Sequence, residues 1–241
     1  MAKTCALIAA AGRGSRAGLP YPKTLFEVHG KPILIRVAEA LLPHADSLVV
    51  IVSPEGAEPI RQALAEAAIT AELVIQDEPR GMGHAVLASA AAAAVATAEN
   101  LLLAWGDIPF FQPATVAAMV DAHCDLACDF TLASALTDSA YTIVSRDGQG
   151  TVTGVIETRE AGLEPTAGER DIGLFVFRRE PTFDALRQDL PGKFGKGTGE
   201  HGFLYAIGHL AAAGYRVEAV PVATELDLVS LNRLGDLQGY V

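Results

Sequence analysis

The residues best able to do chemistry lie near the start of the chain, in a segment of small side chains. An apolar run ends in Ala9-Ala10-Ala11-Gly12-Arg13-Gly14-Ser15-Arg16, and Pro22-Lys23 follows shortly afterwards. Residues this small let backbone N–H groups approach phosphate oxygens closely. Arg16 offers a planar fork of donors and Lys23 a compact positive charge, and both suit a polyphosphate. The segment therefore predicts a site for a phosphorylated ligand.

Two widespread phosphate-binding loops do not fit this segment. Its glycines match the dinucleotide spacing Gly12-x-Gly14-x-x-Ala17, but that loop must run directly into a helix, and Gly18 and two prolines follow here at once. A Walker A loop needs Gly-Lys followed by Ser or Thr, which the sequence lacks. The loop must therefore belong to another phosphate-binding architecture.

The distribution of charge also favours a small anionic ligand. The chain carries a formal net charge of −11, which argues against a nucleic-acid partner. Up to Arg36, however, six basic residues stand against the single acid Glu27. Positive charge is thus concentrated beside the glycines of an otherwise acidic protein, as a small phosphorylated ligand would require.

Composition predicts a globular protein of the cytoplasm. Half of the 241 residues are apolar and a fifth are charged, which excludes a disordered or fibrous chain. The alanine-rich stretch from Ala85 to Ala98 is too short to span a membrane, and the apolar run near the start is too short for a signal peptide. Cys5, Cys124 and Cys128 form no paired framework, as is typical of a reducing compartment. We therefore expect no membrane partner.

The elements that must position the loop alternate between strands and helices in the first half of the chain. Buried strands are predicted at Thr4–Ala10, Ser47–Ser53, Ala71–Gln76 and Asn100–Trp105, with helices at Pro32–Leu42, Ala57–Ala68, Gly83–Ala98 and Pro113–His123. This alternation indicates right-handed crossovers and a mostly parallel sheet with a Rossmann-like arrangement. Asp107 comes just after the fourth strand, at the edge where ligands bind in such sheets.

The second half is richer in strands. Further strands are predicted at Asp129–Ala135, Tyr141–Ser145, Thr151–Glu157, Ile172–Arg178 and Arg216–Val220, with a hairpin turn at 147–150 and helices at Glu200–Ala213 and from Leu231. Thr158–Glu169 and Asp189–Gly199 are predicted to be long loops that could close over a substrate. We expect one domain over residues 1–241, with a first half (1–125) that carries the glycine loop and a β-rich second half (126–241).

The glycine loop and the residues that follow it resemble those of the sugar-1-phosphate nucleotidyltransferases. The sequence is most similar to the uridylyltransferase domain of bacterial bifunctional N-acetylglucosamine-1-phosphate enzymes. The family pattern is Leu-Ala-Ala-Gly-x-Gly-x-Arg, then Pro-Lys, then Gly-Lys-Pro. This chain has the segment from Ala9 to Arg16, Pro22-Lys23 and Gly30-Lys31-Pro32 at matching spacing. The resemblance implies the GT-A-type fold of that family.

Further blocks follow in the order of the family. The segment Gln76–Ala85 resembles the part that reads a pyrimidine base, and Gly106-Asp107-Ile108-Pro109 resembles the motif whose aspartate holds a metal. Val152–Glu157 resembles the strand whose glutamate meets the sugar, and Gly199-Glu200 resembles a further family segment. The resemblance thus covers nearly the whole chain.

The resemblance implies a role for each matching residue. Arg16, Lys23 and Asp107 would be catalytic: Arg16 neutralises the leaving pyrophosphate, Lys23 bridges the reacting phosphates, and Asp107 holds Mg²⁺. The implied nucleotide-binding residues are Ala10, Ala11, Gly12, Gly14, Gln76 and Gly81. The implied sugar-binding residues are Gly106, Glu157 and Asp171. His84 is interpreted as structural rather than catalytic.

Two departures from the family pattern bear on substrate choice, and a third concerns the metal site. The base-reading segment has Pro79–Gly83 in place of Gln-Leu-Gly-Thr-Gly, which removes two polar side chains. In the acceptor region Asp171-Ile172-Gly173 replaces Asn-Thr-Gly, and Tyr141 replaces a glycine. An ionised Asp cannot donate as an Asn amide does, so acceptor recognition is expected to differ.

The third departure concerns the second metal ligand. The family uses the asparagine of Gly-Val-Asn-x-Arg, and this chain reads Val229-Ser230-Leu231-Asn232-Arg233. A strict register places Leu231 at the ligand position. We predict Asn232 as the ligand after a slip of one residue, with Asp227 as the alternative.

Three hypotheses follow for the function. The first is a Mg²⁺-dependent nucleotidyltransferase that joins a nucleoside monophosphate to a sugar 1-phosphate. The nucleotide expected here is UMP from UTP, and the reaction would serve nucleotide-sugar and cell-envelope polysaccharide synthesis. The second is a cytidylyltransferase for a non-sugar phosphate, and the third is a nucleotide- or sugar-binding homologue without catalysis. No acetyl transfer is expected, because the sequence ends before the acetyltransferase part of the bifunctional enzymes. The oligomeric state is left open.

Overall fold

The first strand lies at the centre of the fold and is buried on both faces. Ala6, Ile8 and Ala10 pack into one apolar cluster, whereas Cys5 and Leu7 pack into a second cluster on the opposite face. The computed structural model describes residues 2–12 and 18–240 of the chain. Arg16 and Gly14, both predicted site residues, lie outside the described residues.

The described residues contain eleven strands and eight α-helices. In chain order the strands are β1 (Thr4–Ala10), β2 (Glu27–Val28), β3 (Lys31–Pro32), β4 (Ser47–Val52), β5 (Glu72–Ile75), β6 (Asn100–Trp105), β7 (Phe130–Ala140), β8 (Thr142–Arg146), β9 (Val152–Glu157), β10 (Thr166–Arg178) and β11 (Val217–Val220). The helices are α1 (Ile33–Leu41), α2 (Ala57–Glu66), α3 (Met82–Ala88), α4 (Ala93–Thr97), α5 (Pro113–Asp125), α6 (Thr158–Ala161), α7 (Arg179–Arg187) and α8 (Tyr205–Ala212).

Seven of these strands form one sheet in the order β11-β7-β10-β6-β1-β4-β5. All neighbours are parallel except β10, which runs antiparallel to both β6 and β7. The pairs β2–β3 and β8–β9 form two small antiparallel hairpins beside the sheet. The mostly parallel sheet confirms the predicted α/β, Rossmann-like fold class.

Helices cover both faces of the sheet. Helices α1, α2 and α5 pack with the C-terminal segment on one face, where Leu34, Ile60 and Met119 are fully buried. Helices α3, α4, α7 and α8 pack on the other face, and a group of phenylalanines (Phe130, Phe175, Phe177 and Phe203) lies beneath them. The sheet is therefore buried on both faces, and the carboxyl ends of its parallel strands remain free for a ligand site.

The predicted helix from Gly83 to Ala98 is wrong as a single element. It is divided into α3, a 3₁₀ turn at Ser89–Ala91 and α4, with Ala92 in an extended conformation between them. The Ser89 hydroxyl donates to the Val86 carbonyl at 2.6 Å, and the Glu72 carboxylate accepts the backbone N–H groups of Ala93 and Ala94. Side-chain bonds to the backbone favour helix ends over helix interiors, and no large side chain opposes the break.

Other boundaries also differ from the sequence predictions. Thr158–Glu169 is not a long loop, because it contains α6 and the first residues of β10, and Glu169 forms an ion pair with Arg146. Helix α8 begins at Tyr205 rather than Glu200, since residues 200–202 are bonded to another segment. The predicted helix from Leu231 is a 3₁₀ turn at Leu234–Leu237. The predicted turn at 147–150 is confirmed between β8 and β9.

Within the described ranges, no helix has both the length and the apolar character needed to cross a membrane.

Candidate active site

The two described residues of the predicted catalytic set form an ion pair. Lys23 lies in a 3₁₀ turn that follows Pro22, and Asp107 lies just beyond the end of β6. The Lys23 ammonium contacts the Asp107 carboxylate, and both side chains are mostly buried, with 22% and 17% of their surfaces exposed. The same ammonium donates to the Leu231 carbonyl at 3.4 Å. Three distant segments of the chain thus meet at one charged centre.

Backbone bonds fix Asp107 at this place. The Gly106 N–H donates to the Ala9 carbonyl at 3.1 Å, and the Leu231 N–H donates to the Asp107 carbonyl at 2.8 Å. Strand β6 is parallel to β1, so Asp107 stands beside the end of the strand that leads into the glycine loop. The carboxylate therefore occupies the carboxyl edge of the sheet, where ligands bind in this class of fold.

Two predicted ligand-binding glycines lie close to this ion pair. A Cβ atom at Gly106 would lie 2.7 Å from the Ala9 carbonyl oxygen and 3.0 Å from the Thr24 side chain. A Cβ atom at Gly12 would lie 3.3 Å from the Lys23 side chain. Both positions keep room around the ion pair. Ala10 ends β1 in the core, and Ala11 is the half-buried residue that follows it.

The two candidates for the second metal ligand have different surroundings. Asn232 is exposed, directly after Leu231, and its side-chain amide donates to the Ser230 hydroxyl at 2.9 Å. The Leu231 side chain is fully buried and only its backbone meets the ion pair. Asp227 is fully buried and accepts hydrogen bonds from Gln112, Thr115 and Thr224. Asp227 therefore holds the C-terminal segment against the start of α5, and Asn232 remains the predicted ligand.

The predicted base-reading residues are held together around Gly81. The Gln76 side-chain amide donates to the Gly81 carbonyl at 3.1 Å and lies 3.0 Å from Nδ1 of His84. Gly81 has φ of +102°, which favours glycine, and a Cβ atom there would lie 2.4 Å from the His201 carbonyl oxygen. The structure thus brings Gln76 and Gly81 together, with His84 beside them.

Residues 200–202 brace this segment. The His201 N–H donates to the Arg80 carbonyl at 2.7 Å, and the Gly83 N–H donates to the His201 carbonyl at 3.0 Å. Burial lowers the pKa of His201 to about 4, helped by the nearby charges of Lys193 and His84, so its ring is neutral at pH 7. His201, which follows the Gly199-Glu200 pair that the sequence singled out, therefore joins the base-reading segment to the second half of the chain.

Next to this brace, a cavity of about 220 Å³ contains the predicted acceptor residue Glu157. Its other walls include Met82, Trp105, Arg159 and His201. Burial raises the pKa of Glu157, and the charges of Asp171 and Glu160 act in the same direction. The indole Nε1 of Trp105, another residue of this wall, is buried without a hydrogen-bond partner among the described residues.

Asp171 lies inside the protein rather than in the wall of this cavity. Its carboxylate is fully buried and accepts hydrogen bonds from the Thr142 hydroxyl at 2.6 Å and from the Gly173 N–H at 2.9 Å. Gly173 has φ of +73°, and a Cβ atom there would lie 2.7 Å from the Trp105 ring. Direct contact between Asp171 and an acceptor is thus not part of this structure. Its contacts instead hold the turn that packs on Trp105.

Comparison with known proteins agrees with this geometry. A family model described as the MobA-like NTP transferase domain matches residues 6–188. The chain belongs to that family. It is therefore a member of a nucleotidyltransferase family, and the predicted resemblance is confirmed at that level.

Relatives of this NTP transferase are bacterial proteins named "Bifunctional protein GlmU". The one from Kineococcus radiotolerans is 30% identical over 239 residues, which make up 96% of this chain and 48% of the relative. The one from Alkalilimnicola ehrlichii is 31% identical over 233 residues, or 94% of this chain and 47% of the relative. The chain spans about half the length of the curated relatives it matches.

Sequence reasoning missed one charged residue of this NTP transferase. Arg170 lies in β10 and is buried, and its guanidinium carbon lies 3.9 Å from the centre of the Tyr141 ring. Glu169, Arg170 and Asp171 form a run of charges that leads into the buried part of a strand. Because charged residues are seldom buried in strands, this run was the available signal.

Gly83→Ala is expected to destabilise this NTP transferase by about 1–3 kcal/mol, because a well-packed position must accept an added atom. The added Cβ would lie 2.0 Å from the Gly202 carbonyl oxygen and 2.7 Å from the His201 ring. Urea unfolding measures the loss. Gly148→Ala is the matched control, because a Cβ atom there meets nothing within 4 Å. Equal free energies of unfolding for the two variants would show that residues 200–202 are not packed tightly against α3.

Asp171→Asn is expected to become more stable relative to the wild type as the pH rises. Burial raises the pKa of Asp171, so its folded form binds the proton more tightly than the unfolded chain, whose pKa is about 4. The stability from this group is complete below that value and is lost as the pH rises through the folded pKa. Asn does not ionise and keeps its stability over that range. Urea unfolding from pH 4 to pH 8 measures the difference.

Asp147→Asn serves as a control of opposite sign. Backbone N–H groups of Gln149 and Thr151 donate to the Asp147 carboxylate and lower its pKa. Its stability contribution is present above the unfolded pKa and is lost as the pH falls through the folded pKa. Parallel stability curves for Asp171→Asn and the wild type would contradict the prediction.

Proposed function

We propose that this protein transfers UMP from UTP to a sugar 1-phosphate such as N-acetylglucosamine 1-phosphate, giving a nucleoside-diphosphate sugar and pyrophosphate. The observation that carries the proposal is the Lys23–Asp107 pair at the carboxyl edge of the sheet, beside the glycine loop. The family membership and the relatives named "Bifunctional protein GlmU" support the same reaction class.

In the proposed reaction an oxygen of the acceptor phosphate attacks the α-phosphorus of the nucleoside triphosphate. A new P–O bond forms, the bond to the β-phosphate oxygen breaks, and pyrophosphate leaves with the electron pair. Catalysis of such a transfer consists mostly of positioning and charge neutralisation. Lys23 supplies positive charge between the two reacting phosphates. Arg16, to which the family resemblance assigns the leaving pyrophosphate, would supply the rest.

Asp107 fits the Mg²⁺ that the family resemblance implies. Among residues 2–12 and 18–240, no three His, Cys, Asp or Glu side chains are grouped so that they could hold a metal. Mg²⁺ needs few protein ligands, because water and phosphate oxygens complete its shell. Asp107, with Asn232 as the second residue, would hold the ion, which would neutralise phosphate charge when bound.

The two halves of the chain then have different tasks. Residues 1–125 contain the glycine loop and the Gln76–Gly81 segment and would bind the nucleotide. Residues 126–241 contain Glu157 and the cavity beside it and would bind the acceptor. Asp107 and Leu231 meet where the halves join, which suits a reaction between two bound substrates.

The buried position of Asp171 and the presence of Tyr141 favour a second candidate. This is a cytidylyltransferase for a non-sugar phosphate, because neither residue offers the amide donor of the family's asparagine. The changed base-reading segment leaves cytosine open as the base.

The test is pyrophosphate release with Mg²⁺, with four nucleoside triphosphates crossed against sugar 1-phosphates and alcohol phosphates. Turnover with UTP and a sugar 1-phosphate supports the first candidate, and faster turnover with CTP and an alcohol phosphate supports the second. Trp105 is the only tryptophan in the chain and lies at the site, so its fluorescence reports binding separately. Nucleotide binding without turnover would indicate a binding homologue.

A further inference from the structure

Arg170 is a buried cation that forms no ion pair within the described part of the chain, although the charge of the adjacent Asp171 acts on it. It is the only buried lysine or arginine among the described residues, with 7% of its surface exposed. Its Nε–H donates to the Asp171 carbonyl at 3.1 Å and a terminal N–H donates to the Tyr141 hydroxyl. No carboxylate of the described residues forms an ion pair with it. Buried charges are costly unless they are paired, so this arginine requires an explanation.

The neighbouring carboxylates are engaged elsewhere. Glu169 pairs with Arg146 and accepts a hydrogen bond from Ser134. Asp171 accepts hydrogen bonds from Thr142 and Gly173. An arginine has five N–H donors, and the described residues accept two of those of Arg170. Donors therefore remain for an anion from outside the protein.

Tyr141 holds this guanidinium in place. The arginine lies over the Tyr141 ring, and stacking on an aromatic face fixes the plane of the fork. Partial burial raises the pKa of Tyr141 to about 12, although Arg170 opposes the shift, so the phenol stays neutral and cannot serve as the counter-charge at pH 7. An aromatic face offsets only part of the cost of burying a cation.

The pair lies on the acceptor side of the site, close to the reacting centre. Strand β10 runs antiparallel to β6 with Leu174 opposite Ala104, so the residues before Leu174 lie beside those that lead to Asp107. The Tyr141 carbonyl accepts the N–H of Thr158, the residue after Glu157. The charge of Asp107 also acts on Tyr141, which places the ring within electrostatic range of that carboxylate.

We propose that Arg170, held by Tyr141, binds a phosphate group of the acceptor and selects acceptors that carry it. The inference rests on the proposed function and names a recognition residue for its second substrate. A guanidinium fork matches two phosphate oxygens at once, which an ammonium group cannot do. The bound anion would supply the ion-pair partner that none of the described residues provides.

The first test uses thermal unfolding with inorganic phosphate as the probe and needs no turnover. Phosphate is expected to raise the melting temperature of the wild type, and Arg170→Met is expected to bind phosphate at least about tenfold more weakly, since a bidentate charged contact is lost. Without phosphate, Arg170→Met should unfold at the wild-type temperature or above it. Arg178→Met is the matched control, because Arg178 is exposed and pairs with Asp129. An unchanged response to phosphate in Arg170→Met would overturn the proposal.

The second test uses Arg170→Lys and the substrate pair found by pyrophosphate release. The acceptor KM is expected to rise about tenfold, whereas the nucleotide KM and kcat should stay within about twofold, because only the bidentate contact to the acceptor changes. A rise in the nucleotide KM instead would assign the anion to the triphosphate and overturn the acceptor site. If no pair turns over, the proposed function fails, and the phosphate response in thermal unfolding still decides whether Arg170 binds an anion.

Discussion

Asp107→Asn is expected to lower kcat by about 10²–10³, the range found when one preorganised electrostatic group is removed from an active site. The amide keeps the shape of the side chain but has no charge with which to pair with Lys23 or to hold Mg²⁺. The backbone bonds of Gly106 and Leu231 do not involve the side chain, so the segment keeps its place. Pyrophosphate release at saturating substrate measures the effect, and urea unfolding checks that stability is retained.

Asp121→Asn is the matched control for this variant. Asp121 is an exposed residue of α5, and the same change of charge there is expected to leave kcat unchanged. Equal activity in the two variants would remove Asp107 from the reaction. A loss of activity together with a loss of folded protein in Asp107→Asn would also contradict the prediction, because it would make the ion pair a structural one.

Asp227→Ala is expected to lower the free energy of unfolding by about 3 kcal/mol, since hydrogen bonds to a buried charged group are among the stronger ones. The substitution removes the acceptor for the backbone N–H groups of Gln112 and Thr224 and for the hydroxyls of Thr115 and Thr224. Buried donors without partners cost stability. Urea unfolding gives the free energy.

Asp236→Ala provides the comparison for Asp227→Ala. Asp236 also accepts backbone N–H groups, from Asn232 and Arg233, but it is exposed, so its loss is expected to cost about 1 kcal/mol. If Asp227→Ala kept its stability and instead changed the dependence of turnover on Mg²⁺, Asp227 would be a metal ligand and the structural assignment would be wrong.

The elements that the sequence predicted best are those with a strong local signal. Strands β1, β4 and β6 are continuous apolar runs, and such runs are typical of strands buried on both faces. The predictions failed where local signals compete. The alanines of residues 85–98 favour a helix, but Ser89 and Glu72 bond to the backbone and divide it. Residues 200–204 have a helical pattern, yet His201 is paired with the segment at Gly83.

In the candidate site, too, some residues could be predicted from the sequence and others could not. Spacing and residue type singled out Lys23 and Asp107, and the family resemblance added Gly81 and Glu157. The same reasoning also singled out Asp171 as an acceptor contact, and the structure buries that carboxylate on Thr142 and Gly173. Arg170 was passed over, because a single arginine in a strand does not reveal whether it has a partner.

The sequence by itself determined the fold class and the family, and it predicted the phosphate chemistry of the loop. These follow from the period of apolar residues, from small residues beside positive charge, and from the order of the motifs, all of which are local or additive properties of the chain. Only the tertiary structure decided that Lys23 contacts Asp107, that Asp227 is buried and that Arg170 forms no ion pair with the other described residues. The reason is physical: pairing and burial depend on segments that are distant in the chain, and the fold alone sets which of them meet.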